Sequence, residues 1–221
     1  MLDVGTKPQQ HTPAARRAPG RPRAEESVDE AAFLEAALRA FALHGFGGVS
    51  VRTLSRELGV SHSWVNQRFG SKARLWYVTV DHAFGRQAAT ITFDPTITDP
   101  LEQLERVVRG FLRYSSEHPE LGQIMTSEGM GESERLDYLY EQFVKPPLAS
   151  LERLVAHLIA DGRVRPVETR TLFLLVAHGA AAPFTLPALA GQVATPDPDH
   201  EVDDHIETAT RIIIDGLRTP R

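Results

Sequence analysis

SVRTLSRELGVSHSWVNQRFGSK, residues 50–72, decides how this chain is read. It predicts two short helices joined by a tight turn. Ser50 and Ser61 stand where a hydroxyl can accept an orphan backbone N–H at the start of each helix. Gly59 lies between them, at the point where a left-handed backbone ends the first helix. Val51, Leu54 and Leu58 recur at i, i+3 and i+7, and Val65 and Phe69 are four residues apart, so each helix has an inward face. The other positions of the second helix are His62, Ser63, Trp64, Asn66, Gln67 and Arg68. A surface helix of an ordinary enzyme carries Glu and Lys there. This set suits a helix whose outer face lies in a DNA major groove and reads base edges.

With its upstream segment EAALRAFALHGFGGVSVRTLSRELGVS (residues 35–61) and the FGSK step into a helix bearing Leu75 and Trp76, the stretch resembles the DNA-binding domain of the tetracycline-repressor (TetR) family of bacterial regulators. The resemblance covers residues 27–75; beyond them it extends to length, helical character and layout. Two positions depart from the family pattern. Asn66 stands where a phosphate-contacting Tyr is usual, and Trp64 where a small residue is usual, so the operator sequence is expected to differ as well.

Composition sets the outer limits. The 221 residues allow a small DNA-binding module and one larger domain, and 42% hydrophobic content allows a real core. With no cysteine, disulfides and thiolate metal sites are excluded, which fits a reducing cytoplasm. No signal-peptide pattern is evident at the N-terminus, and the apolar run 172–182 is too short to span a bilayer. Cytoplasmic location without membrane attachment is the expectation. Net charge is −5, but it is uneven: residues 1–75 carry 11 Lys/Arg against 7 Asp/Glu, and the remainder 13 against 22. A basic head on an acidic body fits a chain that meets phosphates at one end.

The expected fold class is all-α, with about nine helices and no convincing strand. Residues 1–25, rich in Pro, Gly and Arg, read as a disordered basic arm, whose Arg21 and Arg23 resemble minor-groove contacts; a solvated tail is the alternative. Residues 26–75 form the three-helix DNA-binding domain, its first helix opened by a Ser27–Glu30 capping box and ended by Gly45. Residues 76–221 form a helical ligand-binding and dimerisation domain. Asp99 and Pro100 start a helix, Pro146 and Pro147 should kink a long helix begun at Ser133, and a Pro-rich loop follows Ala182.

For DNA, base or groove contact is assigned to Ser61, His62, Ser63, Trp64, Asn66, Gln67 and Arg68. Asn and Gln can bond adenine bidentately and Arg can bond guanine. Packing inside the small domain is the competing role for Trp64. Lys72, Arg52 and the Ser50 hydroxyl are assigned to phosphates, where the resemblance also puts contacts. The resemblance further implies an effector pocket in the body. Its candidate lining is Phe84, Phe111, Tyr114, Met125, Met130, Tyr138, Phe143, Phe173 and His178, a mix suited to an apolar or aromatic molecule, although each residue alone could be ordinary core. Arg106, Arg109 and Arg113 are spaced to share a polar face rather than to bind phosphate. Ile206, Ile213 and Leu217, with Gly179–Ala182, are expected at a dimer interface of the last two helices.

No catalytic residue, metal ligand or cofactor is assigned. The nine His are scattered without ligand spacing, Glu128, Glu132 and Glu134 read as a solvated turn, and no phosphate loop or nucleophile elbow is present. The reading is a homodimeric regulator, not an enzyme, that represses from a pseudo-palindromic operator of double-stranded DNA until a small apolar effector releases it. The alternative is a DNA-binding regulator without an effector, gated by a protein partner or by abundance. A well-formed apolar cavity would favour the first and a filled core the second.

Overall fold

A computed structural model describes residues 29–90, 94–193 and 201–219. The expected basic arm with Arg21 and Arg23, and the Ser27 cap, lie outside the described residues. The first helix, α1 (Glu30–Gly48), is capped by Asp29, whose carboxylate accepts the N–H groups of Ala31 and Ala32 at 3.0 and 3.2 Å. A carboxylate suits this position because it also meets the positive end of the helix dipole. Glu30, the expected second half of a capping box, is engaged elsewhere. Gly45, at φ 65° and ψ 169°, breaks the helix where the sequence suggested, a conformation that costs a residue without Cβ little.

Helices α2 (Val51–Glu57) and α3 (His62–Phe69) follow, then α4 (Lys72–Thr90). The body contains α5 (Pro100–Glu117), α6 (Pro119–Glu128) and α7 (Glu134–Leu139). Beyond α7 the helix does not break but widens into a π turn, Tyr140–Val144, before α8 (Lys145–Ala160). The prolines explain the widening. Pro146 and Pro147 have no N–H for the carbonyls one turn back, and the ladder shifts register, so that the Lys145 N–H reaches the Tyr140 carbonyl, five residues behind.

Helix α9 (Thr169–Leu174) ends in a second π turn, Leu175–Ala180. The Pro-rich stretch expected as loop instead holds two short helices, α10 (Ala182–Thr185) and α11 (Pro187–Val193). Pro183 is the second residue of α10 and Pro187 the first of α11, both in the first turn, where a missing N–H costs nothing. The last helix, α12 (Glu201–Leu217), is tied to the loop after α8 by Arg165 N–H on the Leu217 carbonyl, 2.9 Å, and Thr219 N–H on that of Arg163, 3.2 Å. No strand forms among the described residues.

Two apolar clusters hold these elements. One joins Phe33, Phe41, Leu54, Val65 and Phe69 of the first three helices to Trp76, Val80 and Phe84 of α4, and on to Leu121, Ile124 and Leu139. The other unites α5, α8, α9 and α12 through Leu104, Leu112, Leu158, Leu172, Ile206 and Ile214. Helix α5 meets the second cluster with Leu104, Val108 and Leu112, while Arg109 and Arg113 bind Glu207 and Asp203 of α12 and Arg106 lies 3.7 Å from Asp94. The three arginines are thus spent on ion pairs along a polar face.

Asp99 closes the start of α5. It accepts the Leu101 N–H at 2.8 Å and both terminal nitrogens of Arg163 at 2.6 and 3.1 Å. The Arg163 hydrogen bonds and the Leu101 amide hold its carboxyl down to about 2. Ionised Asp99 therefore contributes stability above about pH 4, and the contribution fades as pH falls toward 2. Asp99→Ala is expected to lower stability by about 1 kcal/mol at pH 7, the ordinary worth of an N-cap, with the exposed Arg163 pair adding little. Urea unfolding of both proteins between pH 7 and pH 2 should show the two curves converging at the acid end.

Candidate nucleic-acid interface

The turn between α2 and α3 forms as its residues dictate. Ser50 Oγ accepts the Thr53 N–H at 3.3 Å, Ser61 Oγ accepts the Trp64 N–H at 3.1 Å, and Gly59 takes φ +67°. Leu54 and Val65 are buried between the helices, while Leu58, expected inward, is 38% exposed. On α3 the exposed positions His62, Ser63, Asn66 and Gln67 gather on one side. Among the described residues Asn66 and Gln67 make no side-chain hydrogen bond, and both are exposed, so their amides face outward uncommitted.

Trp64 and Arg68 are placed differently. Trp64 is half-buried and meets Phe33 edge-on at 5.3 Å and Phe69 at 5.9 Å. Its ring packs within the three-helix unit, the competing role open to it from sequence. Arg68 lies one turn further along the same flank. It grips Glu30 of α1 at two points, Nε to Oε2 at 2.7 Å and Nη2 to Oε1 at 2.9 Å. The pair raises the guanidinium pKa, and the guanidinium remains charged throughout. Two features of sequence match across these helices: Glu30 and Phe33 are an i, i+3 pair, and Trp64 and Arg68 an i, i+4 pair.

The phosphate candidates border this face. Arg52 is exposed at the start of α2. Ser50 and Ser61 present hydroxyls already engaged as caps. Lys72 donates to the Gly47 carbonyl at 3.3 Å and stands 4.7 Å from the centre of the Phe46 ring. Phe46 also carries Arg135 over its face at 4.1 Å. Sequence reasoning gave Glu30 to a capping box and passed over Phe46 and Arg135, since each takes its role from a partner far along the chain. It also read Glu128 as part of a solvated turn. Glu128 is 8% exposed and receives the Arg135 Nε at 2.9 and 3.0 Å and the Ser133 hydroxyl at 3.3 Å.

The nine effector candidates divide between the two cores and the surface. Phe84 stacks on Phe143 at 4.9 Å, Phe143 meets Tyr138 edge-on, and Tyr138 meets Tyr77. The Tyr138 hydroxyl donates to Asp81 at 2.6 Å, and burial first, then Asp81, pushes its pKa up to about 12. Tyr114 is buried against this cluster with Met125 beside it, whereas Phe111 packs on the other core. Phe173 is half-buried, His178 is exposed in the second π turn, and Met130 is 84% exposed. Met130 follows the Gly129 cap in a turn, where no helix covers it. One depression, lined by Asp94, Pro100, Ser150, Arg153 and His157 among others, includes none of the nine. A second, about 360 Å³ and apolar, lies between α9 and α12 over Leu172, Leu175, Ala209 and Ile212, and includes none of them either.

The expected dimer residues lie in the same region, Ile213 and Leu217 on the floor of this depression. Ile206, Ile213 and Leu217 are buried in the chain's own second core. The outward apolar residues are Ile212 at 66%, Leu175 at 52% and Leu174 at 47% exposure. A run of three isoleucines at 212–214 must divide between two faces of one helix, and Ile212 takes the outer one.

Residues 33–76 match the pattern of bacterial regulatory proteins of the tetR family, and residues 100–214 match a tetracyclin repressor-like C-terminal domain. No curated protein matches the chain. Solved structures share its fold. The ketosteroid transcriptional regulator KstR2 of Mycobacterium tuberculosis is 16% identical with a TM-score of 0.68, over 86% of this chain and 94% of that one. The fatty acid degradation regulator FadR from Bacillus halodurans is 17% identical, TM-score 0.63, over 85% and 95%. The transcriptional regulator FadR from Bacillus subtilis, solved with stearoyl-CoA, is 14% identical, TM-score 0.62, over 84% and 98%.

The packing of Trp64 has a measurable consequence. Trp64→Ala should cost about 2–3 kcal/mol of stability, since a large ring leaves a space between Phe33 and Phe69. Urea unfolding checks it. An indole used for DNA contact alone would leave the unfolding curve unmoved.

Proposed function

The chain belongs to the TetR family of bacterial regulatory proteins, and from that premise we propose that it is a homodimeric repressor whose α3 reads a pseudo-palindromic operator. The observation that carries this reading is the exposed, uncommitted stripe His62, Ser63, Asn66 and Gln67 on the second helix of a helix-turn-helix. The two amides suit adenine, whose N6 and N7 offer a donor and an acceptor to one amide group. Lys72, Arg52 and the rim hydroxyls would fix register on phosphates without reading sequence.

For assembly we propose the outer face of α9 and α12. Leu175 and Ile212 line an apolar depression there and Leu174, next in the chain to Leu175, is exposed, and a second copy would bury them in a two-fold interface. Two-fold symmetry would then set two α3 helices into successive major grooves.

For control, an apolar small molecule entering the body is the first reading. It is supported by the aromatic set Phe84, Tyr114, Tyr138 and Phe143 and by the fold shared with a regulator solved with stearoyl-CoA. An effector acts only by binding the non-operator geometry more tightly than the operator one. The second reading, gating by a protein partner or by abundance, is favoured by one observation: those rings already pack on one another. Thermal shift with long-chain fatty acids, acyl-CoA and sterols separates the two. Stabilisation together with loss of bound operator supports the effector, and the absence of both across apolar ligands supports the partner.

Two sets of variants test the rest. Asn66→Ala and Gln67→Ala should lose roughly 10- to 100-fold in the ratio of operator to random-duplex affinity, the worth of a bidentate base contact. Lys72→Ala should weaken both duplexes alike and reduce the salt slope by about one. Fluorescence anisotropy over a salt series measures both. Leu175→Asp and Ile212→Asp should give monomers by light scattering, with operator binding lost. Persistence of the dimer would move the interface off this face.

A further inference from the structure

We propose that Glu30 is a specificity-determining residue of the DNA-binding face: it holds Arg68 on the α1 side of α3 and so leaves base reading to neutral side chains. The inference rests on the reading of α3 as the recognition helix. Arg68 is the only Lys or Arg in α3. Both guanidinium contacts go to one carboxylate, Nε at 2.7 Å and Nη2 at 2.9 Å, a side-on fork whose two parallel bonds fix the plane of the group.

The pair has a built support. Glu30 is held at the first position of α1 by the Asp29 cap. One turn along α1, Phe33 meets Trp64 at 5.3 Å, and Trp64 lies one turn before Arg68 on α3. The ion pair therefore continues an aromatic contact along two matched helix faces. Asn66 and Arg68 are two residues apart, roughly 200° around the helix, and Gln67 is about 100° from Arg68, so the held guanidinium points away from the Asn66 amide and to one side of Gln67.

The electrostatic consequence follows from the nature of DNA. A free arginine on a long stem finds any phosphate, whatever the sequence, and adds affinity for all duplexes alike. A carboxylate left alone at the same edge is repelled by all duplexes alike. Joined, the two charges cancel, and α3 enters the groove with no net charge. The phosphate contribution cancels between operator and other sequences, but a free Arg68 would also bond guanine, so its capture withholds that contact from guanine-bearing sequences other than the operator and widens the difference.

The test uses the full-length protein as wild type, Glu30→Gln, Arg68→Ala and the double variant, with a duplex enriched from a random pool by the wild type and a scrambled duplex of equal length. Glu30→Gln should bind a scrambled duplex rich in G·C pairs roughly three- to ten-fold more tightly, with a salt slope steeper by about one, and should gain less on the operator, so the ratio of the two affinities should fall. Arg68→Ala, which leaves Glu30 unpaired, should weaken both duplexes. The double variant should recover a ratio near wild type. Glu30→Ala is the second variant and should move in the direction of Glu30→Gln. Loss of operator affinity in Glu30→Gln would overturn the proposal by making Glu30 a support for a base-reading Arg68, and so would an unchanged affinity and slope. A wild type that does not discriminate between the duplexes would overturn the recognition-helix reading, and this inference with it; a discriminating wild type with an indifferent Glu30→Gln overturns this inference alone.

Discussion

The Arg135 guanidinium lies 4.1 Å from the centre of the Phe46 ring while its Nε reaches both oxygens of Glu128. Glu128 ends α6, Arg135 is in the first turn of α7, and Phe46 follows the Gly45 break near the end of α1. A carboxylate side chain only 7% exposed needs a counter-charge and donors. Arg135 provides the charge. Ser133 supplies a proton, because its oxygen is already accepting the Leu136 N–H that caps α7. Breaking such a pair by removing one partner costs about 3–5 kcal/mol, since the other charge stays behind. The body thus holds the DNA-binding end through a contact that tolerates little adjustment.

The packing on either side extends this constraint. Leu121 and Ile124 of α6 share a core with Phe33, Phe41 and the α4 residues Trp76 and Val80. On its other flank, α6 brings Gly122 against Thr185 of α10, so close that a β-carbon on residue 122 would run into the threonine methyl. Helix α10 directly follows the π turn that ends α9. Contacts thus run unbroken from the end of α9 through α10 and α6 to α1. Under the proposed control by a ligand, the differential binding energy has to act on this chain of contacts, since close-packed elements move between discrete arrangements.

The DNA-binding end was legible because its determinants are local. Ser50, Gly59 and Ser61 act within four residues of themselves, and the caps and the turn follow from them. The Asp99–Pro100 start of α5 was likewise plain. Trp64 and Arg68 could not be placed from the period of α3, which marks only Val65 and Phe69 as inward; their positions depend on Phe33 and Glu30, in another helix. Ile212 and Ile213 are equally apolar, and only the position of α5 against α12 decides which one the chain buries. Pro146 and Pro147 announced an irregularity, but a kink and a π turn satisfy the missing N–H groups equally well on paper. The candidate effector residues were chosen by chemistry alone, and aromatic residues fill cores as readily as they line cavities, which is where Phe84 and Tyr114 ended.

The central claim is that two copies of this chain read DNA with a neutral polar stripe on α3. Selection of bound duplexes from a random pool tests it most directly, because it presumes neither the sequence nor the symmetry of the site. The account predicts enrichment of an inverted repeat whose half-sites contain A·T pairs at the positions that Asn66 and Gln67 reach. A pool that stays random after repeated rounds, or converges on a motif without two-fold symmetry, would contradict it.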